Sequence, residues 1–179
     1  MYFEPLKLSG AFRVLPDRKA DVRGHFARTF CAREFAEHGL ASELVQCSVS
    51  FNEKRGTLRG LHWQADWHAE DKLVRVTRGA IWDVLVDLRL DSPTFRQWHG
   101  ETLSAENGVG LYIPHGFAHG FVTLEDASEV FYQMSEFFAP ESARGARYDD
   151  PAFGIDWPEI GALTLSDRDL AFPPFQIES

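Results

Sequence analysis

Hydrophobic and polar positions alternate with a period of two through the middle of this chain. Lys72-Leu-Val-Arg-Val-Thr-Arg78 alternates, Gly79 interrupts it, and Ala80-Ile-Trp-Asp-Val-Leu-Val-Asp-Leu88 resumes with β-branched and aromatic residues. Ser92-Pro93 punctuates, and a further alternating run extends from Phe95 to Leu103. Successive side chains of a strand point to opposite faces, so these runs predict half-buried strands. Shorter strands are expected at Leu111–Ile113, Gly120–Leu124 and Glu129–Met134. One helix is predicted over Cys31–Gly39, with Gly39 at the C-cap position. From Pro140 onward the chain is rich in Asp, Pro and Gly and reads as irregular, with one short helix near Ser166–Leu170. Short strands separated by turn signals roughly every 8–12 residues predict an antiparallel sandwich or barrel rather than βαβ units. The expected fold class is all-β, an antiparallel β jelly roll with a few short peripheral helices.

Composition narrows the classes. A length of 179 residues fits one domain spanning 1–179. No stretch resembles a linker, a low-complexity tract or a repeat. The formal net charge of −9 argues against a nucleic-acid binder, which would carry a basic patch or stripe. It leaves room for a phosphorylated small molecule, because a few arginines in one pocket can hold phosphates inside an acidic protein. Cys31 and Cys47 have no C-x-x-C spacing, which excludes a disulfide framework and a zinc ribbon. The N-terminus lacks a basic region followed by an apolar stretch, and no run approaches the roughly 18 apolar residues of a membrane helix. The expectation is a cytoplasmic protein without a membrane partner.

Pattern alone ends there; particular residues go further. Gly56-Thr-Leu-Arg-Gly-Leu-His-Trp-Gln64, Lys72-Leu-Val-Arg-Val76, Gly79 through Asp87-Leu-Arg89, Ser92-Pro-Thr94, and Ile113-Pro-His-Gly-Phe-Ala-His-Gly-Phe121 follow one another in order. Tyr132, Asp149-Asp-Pro151, Gly154-Ile-Asp-Trp-Pro158 and Leu165-Ser-Asp-Arg-Asp169 continue the series. Together, from Asp21-Val-Arg-Gly24 onward, they resemble the dTDP-4-dehydrorhamnose 3,5-epimerase family of cupin-type nucleotide-sugar epimerases. The resemblance implies a homodimeric jelly roll that holds a nucleoside-diphosphate 4-keto-6-deoxysugar in its open core and uses no cofactor and no metal.

Epimerisation beside a ketone requires a base on one face of the sugar, an acid on the other, and stabilisation of the enolate between. His62 is the expected base, since imidazole, with an ordinary pKa near ~6.5, can accept and release a proton at neutral pH. Its alternative is a strand histidine satisfied by a local hydrogen bond. By resemblance Asp169 orients His62 through the distal ring nitrogen; otherwise it is a surface aspartate. Tyr132 is the expected acid, or else a core aromatic among Val130, Phe131 and Met134. Lys72 is expected beside the developing C4 oxyanion. Asp83 and His119 resemble polar residues of the same pocket. Arg59 and Arg23 are expected to grip the diphosphate, the alternative for each being a surface ion pair. Phe26, Arg28, Gln46, Ser48, Phe138 and Arg168 complete the expected substrate-binding set.

His62, His115 and His119 also invite a cupin metal site. Trp63 and Gln64 follow His62, however, where such a site has a second histidine one residue further on and then a glutamate. No metal is expected. The chain departs from the pattern it resembles at Arg28, where a glutamate commonly contacts the base, at Ser48 for asparagine, at Phe138 for tyrosine and at Gln133 for lysine. A guanidinium has donors only, whereas a carboxylate accepts, so dTDP, CDP and GDP all stay open. Single-carbon epimerisation, a metal-dependent cupin isomerase or oxygenase, and a silent sugar-binding module are the alternatives.

Overall fold

The computed structural model describes residues 1–177. Its elements in chain order are β1 (Tyr2–Pro5), β2 (Phe12–Leu15), β3 (Lys19–Asp21), β4 (Gly24–Phe26), helix α1 (Ala32–Glu37), β5 (Gln46–Asn52) and β6 (Leu58–Gln64). They continue with β7 (Lys72–Arg78), β8 (Ala80–Asp87), β9 (Trp98–Ser104), β10 (Gly110–Ile113), β11 (Phe117–Thr123), β12 (Ser128–Met134), β13 (Ala143–Gly145) and helix α2 (Asp167–Leu170). A six-stranded sheet runs β1-β2-β10-β7-β12-β5, a five-stranded sheet β13-β6-β11-β8-β9, and β3-β4 form a separate hairpin. Neighbouring strands pair antiparallel throughout. This is the expected jelly roll.

The inward faces of the two sheets supply one core. Val74, Val76, Leu111 and Val130 from the six-stranded sheet pack with Ile81, Leu85, Leu103 and Phe121 from the other. The outer face of the five-stranded sheet is covered by the C-terminal segment through Phe153 and Trp157. The outer face of the six-stranded sheet is covered by α1 through Phe35, which is fully buried. The alternation read around Gly79 is two strands in two different sheets. Gly79, at φ +71°, is the crossing point, and a Cβ there would lie 2.5 Å from Ser128 Oγ.

Three expectations are corrected. The run from Phe95 does not begin as a strand: Arg96 sits at φ 62°, and β9 starts only at Trp98. The cause is Asp87, a buried carboxylate that accepts from Arg89 Nε (2.9 Å), Ser92 Oγ and Thr94 Oγ1 and so folds Ser92-Pro-Thr94 into a turn. Burial opposes ionisation of Asp87, but those donors hold its pKa down at about 2. The stretch after Pro140 is not wholly irregular, because β13 pairs with β6 beside His62. The strand expected from Gly120 begins at Phe117. The two helices lie where expected: Gly39 takes φ +70° after α1, and the Ser166 side chain caps α2 by accepting from Asp169 N.

Candidate active site

The site is built by one irregularity in β6. Arg59 and His62 are three residues apart, an odd spacing that would send their side chains to opposite faces of a regular strand. Opposite them in β11, His119 pairs with His62 and Phe121 with Arg59, so four residues of β6 lie opposite three of β11. The extra residue is a β-bulge at Gly60, which takes φ +131° and whose Cβ would lie 2.6 Å from Gly120 Cα. The bulge brings Arg59 and His62 to one inward face. Asp83 joins them, because β8 pairs it with Phe121.

Asp169 reaches this face from α2. His62 Nε2 lies 2.7 Å from Asp169 Oδ1, and the Gly60 N–H donates to Asp169 Oδ2 at 3.3 Å. Burial would raise the pKa of Asp169, but the hydrogen bond and charge of His62 outweigh it and hold the carboxyl below its ordinary value. A carboxylate on Nε2 fixes that nitrogen as the proton-bearing one and leaves Nδ1 to act as base. His62 keeps 41% of its side chain exposed, while Asp169 keeps 5%. The Phe172 ring stands edge-on to His62 at 5.9 Å.

The opposite wall comes from the six-stranded sheet. Its register sets Lys72 beside Met134 and Val74 beside Tyr132, with Tyr132 beside Ser48 and Met134 beside Gln46. Since Val74 and Val130 are core residues, alternation turns Lys72, Tyr132, Gln46 and Ser48 inward as well. A cavity of about 450 Å³ lies between the walls, and His62, Lys72, Tyr132, Gln46, Ser48, Phe138 and Arg168 all line it. Burial, with the Asp83 charge, pushes the Tyr132 phenol above its ordinary 10.0, so it is a protonated donor at neutral pH. Its ring stands edge-on to His119 at 5.9 Å.

His119 Nε2 lies 2.8 Å from Asp83 Oδ2, and both residues are buried. Burial pushes the Asp83 carboxyl up, against the pull of His119. Arg59 donates from Nε to Asn52 Oδ1 at 2.8 Å and lines an adjoining cavity of about 350 Å³ that also touches His62 and Asp169. Phe138 is tied to Gln46 by its N–H, which donates to Gln46 Oε1 at 3.2 Å.

The single chain does not bring Arg23, Phe26 or Arg28 to this cavity. Arg23 pairs with Asp21 in the exposed β3–β4 hairpin, and Phe26 is 78% exposed there. Arg28 pairs with Glu34 at 2.7 Å, which the N-terminal ammonium also contacts. The sequence reading missed Glu70, which faces Lys72 inside the cavity; the signal available was its spacing of two from Lys72. It also missed Gln64, whose buried amide accepts from Ala139 N and donates to the carbonyls of His68 and Phe137. Phe172 had no signal in the sequence. His62, His119 and His115 each face a different carboxylate, Asp169, Asp83 and Asp71. Among the described residues no group of three or more His, Cys, Asp or Glu is arranged to hold a metal ion.

Known proteins share this fold and much of this sequence. The family model described as dTDP-4-dehydrorhamnose 3,5-epimerase matches residues 5–176. A dTDP-4-dehydrorhamnose 3,5-epimerase of Sinorhizobium fredii is 41% identical over 173 residues, covering 97% of this chain and 89% of the relative. The crystal structure of the Bacillus anthracis enzyme of that name, with TDP and PPi bound, superposes with a TM-score of 0.93 at 38% identity, covering 97% of this chain and 99% of that one. The dTDP-6-deoxy-D-glucose-3,5-epimerase of Legionella pneumophila, in complex with dTDP-4-keto-L-rhamnose, gives a TM-score of 0.89 at 36% identity over 98% of each chain. With its two facing sheets and the His62 and Tyr132 walls between them, this chain belongs to the dTDP-4-dehydrorhamnose 3,5-epimerase family of nucleotide-sugar isomerases.

Proposed function

We propose that the protein inverts C3, C5 or both of a nucleoside-diphosphate 4-keto-6-deoxysugar, with His62 as base and Tyr132 as acid. The observation that supports this reading is the wall each residue occupies: one cavity is lined by His62 from β6 and by Tyr132 from β12, in opposite sheets. A sugar ring lying between the sheets presents one face to each.

His62 Nδ1 takes the proton from the carbon beside the C4 ketone. The C–H electron pair becomes a C=C bond, and the carbonyl becomes an enolate oxygen. Lys72 holds that oxygen, a preorganised charge aimed at where negative charge develops. The Tyr132 phenol then delivers its proton to the opposite face, the ketone re-forms, and that carbon is inverted. Imidazolium and phenolate return to their starting states by exchange with solvent. His119, held by Asp83 and edge-on to Tyr132, backs the acid from behind the cavity wall, and Arg59 and Arg168 hold the diphosphate.

A homodimer is part of the reading. The β3–β4 hairpin pairs with neither sheet and exposes Val22 and Phe26. It is suited to cross to a partner and bring Arg23 and Phe26 to that subunit's nucleotide. Two free cysteines suit the reducing cytoplasm. The test is incubation with dTDP-, CDP- and GDP-4-keto-6-deoxyhexoses in deuterated water, counting incorporated deuterons by mass spectrometry. One or two deuterons and an inverted product are expected; a substrate that gains none with any of the three nucleotides overturns the reading.

A further inference from the structure

Glu70 takes no part in the proton transfers, yet its carboxylate lines the same cavity as Lys72, His62 and Tyr132. Glu70 Oε1 lies 2.9 Å from Lys72 Nζ, and the two side chains keep 10% and 13% of their surface exposed. Among the described residues that line the cavity, Glu70 is the only carboxylate, whereas Lys72, Arg144 and Arg168 are cationic. Its segment is anchored on both sides. His68 O accepts from Gln64 Nε2 at 3.0 Å. The Asp71 N–H donates to Ser135 Oγ at 2.9 Å, and the Asp71 carboxylate accepts from His115 N at 3.0 Å.

A lone ammonium in a partly dry cavity attracts whatever anion arrives, and attraction grows as solvent is excluded. The substrate class inferred above carries its formal charge on the diphosphate and only a neutral ketone at the sugar. An unpaired Lys72 would therefore draw the wrong end of the molecule. With Glu70 in contact, the pair is neutral as a unit, and a phosphate a few ångströms away meets repulsion and attraction together. An enolate oxygen within hydrogen-bond reach of Nζ still gains, because the nearest charge dominates at short range.

We infer that Glu70 is a specificity-determining residue that keeps phosphate groups off Lys72, reserving the ammonium for the sugar's ketone oxygen. The inference rests on the epimerase reading for its substrate class, but its test does not require turnover.

Pyrophosphate binding to the full-length protein, measured by calorimetry, reads the effect directly. Glu70→Gln is expected to bind pyrophosphate at least tenfold more tightly than the parent, a gap of about 1.4 kcal/mol. Glu70→Ala, which makes the same charge change without an amide, should give the same gain and stands in if the first variant folds poorly. Adding Lys72→Gln to Glu70→Gln removes the freed cation and should return the affinity to near the parent's. Binding within twofold of the parent in both single variants overturns the inference, as does a double variant that keeps the gain. Loss of deuterium incorporation in the parent is a separate result and concerns the epimerase reading alone.

Discussion

His62 and Asp169 stand 107 residues apart in the chain, yet His62 Nε2 and Asp169 Oδ1 are 2.7 Å apart. The contact is made by a bulge in β6 on one side and a capped turn of helix on the other. Asp169→Asn keeps the shape and removes the charge that fixes the imidazole tautomer. The expected outcome is a large fall in kcat with little change in KM, the pattern of an interaction that matters mainly in the transition state. A collapse of affinity with kcat retained would make Asp169 a binding residue.

The same contact sets a pH expectation. Asp169 is held below its ordinary value of 3.8, so its contribution to stability is present above that value and lost only as pH falls through the lower folded pKa. Any acid-side loss of activity centred above pH 4 therefore reports another group. A kcat/KM profile of the parent measured from about pH 3 to about pH 8 should show its acid limb above about pH 4. A parent whose only acid limb lies below 3.8 would place the limiting group at Asp169 and overturn the expectation.

Tyr132→Phe should separate exchange from inversion. His62 alone can remove a proton and return it to the same face, so the variant should still wash substrate hydrogen into solvent while forming little inverted product. Equal loss of both, or of neither, sinks the two-wall mechanism. Because the phenol is pushed above 10.0, Tyr132 stays protonated across the neutral range. The stability it contributes is full below its ordinary value and is lost as pH rises through the folded one.

Gly60→Ala tests the bulge. A Cβ at φ +131° would meet Gly120 Cα at 2.6 Å and His119 O at 3.0 Å, both backbone atoms that cannot swing aside. A loss of about 1–3 kcal/mol or more in denaturant unfolding is expected. Deuterium exchange should fall as well, since the Gly60 N–H supports Asp169. Parent-like stability and rate would show that the strand can absorb the change without moving His62.

The exposed hairpin carries the dimer prediction. Light scattering should give twice the 20.3 kDa chain mass, and Phe26→Asp should shift the protein toward monomer and weaken dTDP binding together. A fully active 20.3 kDa species would exclude a partner's hairpin from the site.

Period-two alternation was enough to identify an all-β chain, because strands half-buried in a two-sheet core leave that pattern wherever they run for several residues. It was legible in β7 and β12, whereas β8, buried on both faces, showed as a nearly continuous apolar run of β-branched and aromatic residues. The strands before β6 escaped it: β1 to β4 span three or four residues each, too short to show a period, and β5, a sheet edge, alternates in the reverse sense, with Gln46, Ser48, Ser50 and Asn52 on the inward face and Cys47, Val49 and Phe51 exposed outward. Residue types in ordered motifs pointed to His62, Lys72, Tyr132 and Asp169 as a chemical set. Only the tertiary structure decided which of them face one cavity and from which side. An odd spacing such as that of Arg59 and His62 reads as two faces until a bulge makes it one. Arg28 reads as a free guanidinium until Glu34 is found beside it, and Glu70 carries no motif, its meaning residing entirely in the ammonium it touches. A sequence specifies which groups exist and how far apart they lie along the chain; which charges are paired, and which faces converge, is settled by sheets that meet only after the chain has crossed between them.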